Sequence, residues 1–293
     1  MSKRDYPYGF GRIRWVSTGW LEENLDRVTE GLTILDVQPN VHDYIQVHIP
    51  GSVYFCPSTL RVPLGGIPGK WTPAEAAQAM FCQIGLERNA PVVVYTGTGL
   101  SRGWGDGLEQ TMVAYSLVRF GLEEVYVLDG GLDRWLDEDR PVSQVFPDVH
   151  PTSFQAEVRS DLFLEYEAFK AVNNDDDVVL LDARPGNVYA GDGPWIRNGH
   201  IPGAVNLPWK SLMDADNPRL LKPEGEIVEI VEDAGATPEK MIICSCGTGR
   251  EATNEYLLFK HALDYPRVKL YEGSFTEWSS YSENPVVRGT NPR

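Results

Sequence analysis

The residues with the plainest chemical potential lie in Ser245-Cys-Gly-Thr-Gly-Arg-Glu251. Cys246 follows the apolar run Met241-Ile-Ile-Cys-Ser245 and precedes glycines at 247 and 249. Glycine backbones can curl so that successive N–H groups converge on one point, and a helix starting just beyond adds partial positive charge. Both effects favour a thiolate, so the pattern predicts a nucleophilic cysteine of lowered pKa. The same pattern also suits a buried structural thiol, because cysteine is among the residues most often buried. The four cysteines, Cys56, Cys82, Cys244 and Cys246, show no Cys-x2-Cys pairing, so no metal site is predicted. Cys244, two residues before Cys246 on a strand, shares its side-chain direction. It reads as a buried strand thiol, with a resolving role as the alternative.

A thiol of this kind needs elements that hold it. Val178–Leu181 and Met241–Ser245 read as buried parallel strands, with a helix over Pro223–Ala234 between them and another over Glu251–Leu263. Strands alternating with helices imply an α/β fold, a mostly parallel sheet flanked by helices, with ligands beyond the carboxyl ends of the strands.

The whole pattern occurs twice. Ile34-Leu-Asp-Val37 matches Leu180-Leu-Asp-Ala183, and His48-Ile-Pro-Gly-Ser-Val53 matches His200-Ile-Pro-Gly-Ala-Val205. Thr96-Gly-Thr-Gly99 matches Cys246-Gly-Thr-Gly249, and Tyr126-Val-Leu-Asp-Gly130 with Trp135 matches Lys269-Leu-Tyr-Glu-Gly273 with Trp278. Two copies of one domain are expected, 1–148 and 149–293, joined in the proline-containing stretch 141–153. Thr96 stands at the cysteine position of the first copy, and a threonine without an activating base is a poor nucleophile. Thr96 to Gly130 spans 34 residues against 27 from Cys246 to Gly273, so the first copy has seven extra residues around the glycine-rich stretch 97–107. A lengthened loop loses the tight N–H cradle, which leaves one active site per chain. The recurrence of His48 as His200 points to a turn-structuring role for both.

Composition narrows the partners. The 293 residues carry a formal charge of −16, which disfavours nucleic acid and anionic membranes. No apolar run approaches the roughly 20 residues of a membrane span. The start, Met1-Ser-Lys-Arg-Asp-Tyr, leads into no apolar signal segment, so a cytoplasmic location is expected. An anionic substrate must be captured by local arginines or backbone N–H groups against the overall field.

Asp182-Ala-Arg184, Gly199-His-Ile-Pro-Gly-Ala204, the Cys246 loop and Glu272-Gly-Ser-Phe-Thr-Glu-Trp278 together resemble a rhodanese domain. The chain over about 15–140 and 160–280 resembles the tandem-domain rhodanese sulfurtransferases. The resemblance implies two rhodanese-like domains, a catalytically silent N-terminal copy and a C-terminal copy carrying the cysteine. It further implies a Cys246 persulfide formed from a small anionic sulfur donor and passed to a thiophilic acceptor, with no metal or organic cofactor. The expected substrate contacts are the loop residues Gly247, Thr248, Gly249, Arg250 and Glu251, through backbone N–H groups, with Arg250 or Arg197 for the donor's charge. Glu251 is expected to point away or to pair with Arg250.

Thiosulfate is the donor read here, with 3-mercaptopyruvate as the alternative. The Cys-Gly-Thr-Gly loop nearly reproduces the mercaptopyruvate pattern, while Val188 occupies one of that subgroup's arginine positions. Arg184 is expected to brace the fold through Asp182, and Trp209 and Trp278 to line core or cleft. A rhodanese-like phosphatase needs an arginine six residues after the cysteine; position 252 is Ala252, and Arg250 stands only four after. A non-enzymatic sulfur carrier or docking module is the reading from another class.

Overall fold

Short runs of β-branched and aliphatic residues, buried on both faces, build two parallel sheets. The computed structural model describes residues 4–101, 103 and 105–292. Residues 1–3 of the start read above, and positions 102 and 104 of the glycine-rich loop, lie outside the described residues.

In the first copy the strands are β1 (Ile13–Val16), β2 (Thr33–Asp36), β3 (Ser52–Tyr54), then a two-stranded ribbon of β4 (Arg61–Leu64) and β5 (Ile67–Trp71), then β6 (Val92–Tyr95) and β7 (Val125–Leu128). Apart from the ribbon they form one parallel sheet in the order β1-β7-β6-β2-β3. The accompanying helices are α1 (Thr18–Glu23), α2 (Val41–Gln46), α3 (Ala74–Gln83), α4 (Leu108–Arg119) and α5 (Gly131–Asp137). In the second copy β8 (Phe163–Leu164), β9 (Val178–Asp182), β10 (Val205–Asn206), β11 (Met241–Ser245) and β12 (Val268–Tyr271) pair in the order β10-β9-β11-β12-β8. Its helices are α6 (Tyr166–Val172), α7 (Glu224–Asp233), α8 (Glu251–Leu257) and α9 (Ser274–Ser280). Read from the other edge, this is the first sheet's order again, so the repeat in sequence is a repeat in topology.

The central strands, β6 and β11, end at Tyr95 and Ser245, and the Thr96 and Cys246 loops leave from their carboxyl ends. Each sheet has its own core, with Ile34, Val93, Leu128 and Trp135 in the first and Leu180, Ile243, Phe275 and Trp278 in the second. The two tryptophans are matched to the hydrogen bond: Trp135 Nε1 donates to Pro141 O (2.7 Å) and Trp278 Nε1 to Pro285 O (2.8 Å).

Three local features add to the sequence reading. The stretch 141–153 is no free linker. Ser143 exchanges backbone bonds with His48, and Thr152 N donates to Cys82 O, so it is strapped along the first sheet's layers. By compactness the chain divides into two units. One takes Thr72–Arg159 and Asp214–Leu221 with the residues up to Arg61, and the other takes Val62–Trp71, Ser160–Met213 and the chain from Lys222. The helix after Cys246 is α-helical only to Leu257 and widens into a π turn over Leu258–Ala262. The chain after Tyr281 is held by Val287 pairing with His200 and by Gly289 N donating to Ala190 O (2.9 Å).

Candidate active site

Three elements of the second copy meet at Cys246: the end of β11, the start of α8 and the start of α9. Its backbone is fixed first. Cys246 N donates to Ser274 Oγ (3.1 Å), Phe275 N donates to Cys246 O (3.0 Å) and Thr276 N donates to Gly247 O (2.9 Å). The side chain of Cys246 then lies fully buried, with its sulfur inside the loop. Gly249 N–H donates to Sγ at 3.0 Å, and the N–H groups of Thr248 and Ala252 also reach the sulfur. This is the predicted convergence of backbone donors on one point.

Glycine is required at one place in that loop and fits closely at another. Gly249 has φ +88°, and a Cβ there would stand 2.7 Å from Glu272 O and 2.9 Å from the Trp71 ring. A Cβ on Gly247 would stand 3.0 Å from the Trp195 ring. Trp195 thus lies over the cradle and is anchored by Nε1 donating to Thr276 Oγ1 (2.9 Å), which itself donates to Gly247 O (2.7 Å).

Beneath the loop sits a buried ion pair. Arg184 Nη2 bonds Asp182 Oδ2 at 2.5 Å and Nε bonds Oδ1 at 2.8 Å, with side chains 1% and 3% exposed. Arg184 also donates to Gly199 O (2.9 Å) and lies 4.4 Å from the Phe275 ring centroid. It braces the second copy, and its Nη1 has no hydrogen-bond partner.

The electrostatics depart from the sequence reading at two points. Burial pushes the Cys246 thiol up to about 12, with the negative charges of Glu251 and Asp182 adding to it and the N–H groups of Ala252 and Thr248 opposing. The cradle is present, but desolvation outweighs it, so the resting group is a thiol. Glu251 does not point away: its carboxylate is hydrogen-bonded to Cys246 and accepts from Gly247 N–H. As the first residue of α8 it folds back into the loop, where N–H groups are free to receive it. One turn further on, Glu255 is fully buried and neither carboxyl oxygen has a partner; burial drives it towards its protonated form. Cys244 is likewise buried and raised by burial, with Glu255 and Cys246 contributing.

The arginines separate. Arg250 stands at the N-cap of α8 beside the cradle, its carbonyl accepting from Thr253 Oγ1 (2.7 Å). Arg197 is elsewhere. Its guanidinium donates to the carbonyls of Tyr281 (2.7 Å), Ser279 (3.4 Å) and Asn284. It caps the carboxyl end of α9, whereas Cys246 is held at the amino end, and a seven-residue helix separates the two by roughly 9 Å. Its donors are engaged by carbonyls that a helix end leaves open.

The first copy shows what the same loop becomes without the thiol. Thr98 N, the counterpart of Thr248 N, is directed at the Asp133 carboxylate (3.0 and 3.2 Å), so a side chain of the protein fills part of the nest. Gln38 replaces Arg184, bonding Asp36 Oδ2 at 2.9 Å. His48 and His200 each place Nδ1 and Nε2 against two backbone carbonyls, which matches the turn-structuring role. Trp209 and Trp278 are both buried. Among the described residues no helix is long and apolar enough to cross a membrane.

Comparison with known proteins places this arrangement. The rhodanese-like domain model matches residues 17–138 and again 165–281. A Synechococcus elongatus protein is 36% identical over 286 residues, 94% of this chain and 86% of its own. The thiosulfate sulfurtransferase of Azotobacter vinelandii is 32% identical over 244 residues, 83% of this chain and 86% of its own. The crystal structure of SseA from Escherichia coli, described with the fold and mechanism of 3-mercaptopyruvate sulfotransferases, superposes with a TM-score of 0.77 at 27% identity, covering 89% of this chain and 98% of SseA. Two matched sheets, two rhodanese-like matches and relatives covered over 86% of their length lead to one conclusion: the chain belongs to the rhodanese family and carries its domain twice.

Proposed function

We propose that the chain is a sulfurtransferase with one working site, which moves a sulfane sulfur from thiosulfate to cyanide or a thiol through a persulfide on Cys246. The observation that carries this reading is the sulfur of Cys246 enclosed by backbone donors, with Gly249 N–H at 3.0 Å. Sγ attacks the outer sulfur of thiosulfate, the S–S bond to the sulfonate group breaks, and sulfite leaves with its electron pair. The persulfide stays on the N–H groups of Gly247, Thr248, Gly249, Arg250 and Glu251 until a nucleophile removes the outer sulfur. Thiosulfate is favoured over 3-mercaptopyruvate because it is a compact dianion that a backbone nest can hold. Two positions that could clamp a separate carboxylate are not available for it: Val188 is apolar and Arg197 donates to carbonyls.

The same reasoning makes 1–148 a silent domain and 149–293 the catalytic one. Thr96 replaces the thiol, and Asp133 supplies an internal anion to the Thr98 N–H. Intact mass after thiosulfate treatment tests the reading. A gain of about 32 Da, one sulfur atom, is expected on wild type and absent from Cys246→Ala. Turnover with cyanide, compared for thiosulfate and 3-mercaptopyruvate on one preparation, decides the donor. Turnover by Cys246→Ala at the wild-type rate refutes the site. Loading without turnover identifies a carrier instead.

A further inference from the structure

The two copies are an internal control for residues beside the loop. The backbone takes positive φ at Gly121 (+116°) and at Asp264 (+56°), the residues that end the matched helical stretches 143 positions apart. In that register Glu251 of α8 answers to Leu108 of α4, each the first residue of its helix, and Glu255 answers to Met112. The copy with threonine at the loop thus has apolar, buried side chains at both places, and the copy with cysteine has two carboxyls.

Cys246 needs a proton acceptor. Its thiol is fully buried inside the loop, and burial holds it towards the protonated form, so attack on a sulfur donor requires that the proton leave. The groups facing it are Glu251 from α8, Asp182 from β9 and Cys244 from β11. Asp182 is engaged with Arg184, and Cys244 is a buried thiol. Glu251 is hydrogen-bonded to the thiol itself and held in place by Gly247 N–H; Arg250, Asp182 and Glu255 are the charged or titratable groups around it.

We infer that Glu251 is the proton acceptor for the Cys246 thiol, and so a catalytic residue of the sulfur-transfer reaction. The inference rests on the sulfurtransferase reading above. As Sγ forms its bond to the outer sulfur of thiosulfate, the thiol proton passes to the Glu251 carboxylate. The broken S–S bond leaves its electron pair on sulfite, which takes that proton and departs as hydrogen sulfite. In the second half, cyanide removes the outer sulfur as thiocyanate, the bonding pair returns to Sγ, and a solvent proton restores the thiol by way of Glu251. No oxidant or reductant enters either half.

A neighbouring charge with no proton role has the opposite effect, which makes the test one of sign. If Glu251 were only a negative charge beside Cys246, Glu251→Gln would ease ionisation of the thiol and speed loading. If it accepts the proton, Glu251→Gln slows loading about 10²-fold or more. The experiment is single-turnover loading from thiosulfate between pH 5 and 9, followed by intact mass, on wild type, Glu251→Gln and Glu251→Asp. Wild type is expected to rise with pH and level off once Glu251 is ionised. Glu251→Gln is expected to be slow and to climb about tenfold per pH unit throughout, as hydroxide takes over. Glu251→Asp is expected to regain the plateau at an intermediate rate, and it carries the test if the Gln variant does not fold. Loading of Glu251→Gln at or above the wild-type rate overturns the inference. If wild type takes no sulfur from thiosulfate, the donor reading has failed. Glu251 is then read from iodoacetamide labelling of the Cys246 peptide, where the same loss and pH contrast are expected and equal profiles overturn the inference.

Discussion

Replacing Asp182 by Asn removes a charge at nearly constant volume, under an arginine that has nowhere to go. Arg184 is 1% exposed, keeps its bond to Gly199 O and its place 4.4 Å from the Phe275 ring, and loses only its anion. A guanidinium does not discharge by losing its proton at ordinary pH, so the charge stays and is unpaired. Breaking a buried pair from one side costs about 3–5 kcal/mol. At a urea slope of about 2 kcal/mol per M, the transition of the second unit should move down by about 1.5–2.5 M. The matched change in the first copy, Asp36→Asn, sets the scale, because Gln38 is neutral and Asp36 is already pushed up to about 6 by burial. That variant should cost about 1 kcal/mol or less at pH 7.5. Urea titrations of both variants, followed by fluorescence and circular dichroism to resolve the two units, measure the contrast. Equal losses in the two copies, or a loss below about 1 kcal/mol for Asp182→Asn, would refute the reasoning.

Other outcomes can be read on the same preparations. Arg197→Ala should lower stability by about 1–3 kcal/mol through the lost carbonyl bonds while leaving KM for thiosulfate unchanged; a rise in KM would return Arg197 to the donor site. Gly249→Ala should cost more than about 1 kcal/mol and slow sulfur loading, because its Cβ would stand 2.7 Å from Glu272 O and push the N–H off the sulfur. Burial favours the acid form of Asp36 in the folded state, so its contribution is present below the unfolded carboxyl pKa and is lost as pH rises through about 6. Denaturation of wild type and Asp36→Asn across pH 4–7 should show that slope in wild type alone.

Periodicity and repetition carried the architecture into the sequence. The runs at Val92–Tyr95 and Met241–Ser245 are central strands, and the spacing of Gly247 and Gly249 marked the N–H cradle. What sequence could not supply was direction. Glu251 reads as a charge hostile to an anion, and only its place as the first residue of α8 sets it against the thiol. Arg197 reads as a free cation, and only the placement of α9 shows three carbonyls waiting for it. The sign of the Cys246 shift was missed for a related reason. The donors that lower it are local in sequence, whereas burial depends on groups distant in sequence, such as Trp195 and Trp71, which pack against Gly247 and Gly249 of the loop.

The mismatch between Leu108, Met112 and Gln38 on one side and Glu251, Glu255 and Arg184 on the other records a division of burdens within one gene product. Buried ionisable groups are expensive for a fold, and at the positions of Glu255 and Arg184 they stand in the copy that bears the thiol. The other copy has exchanged them for apolar or neutral side chains. Selection therefore acts on the same scaffold by two different rules. In the first half, any substitution that preserves packing at these positions should survive. In the second, changes that would raise stability, such as Glu255→Met, should be tolerated by the fold and judged by the chemistry. A saturation library scored separately for abundance and for sulfur transfer would see the two scores run together over the first copy and part company along α8.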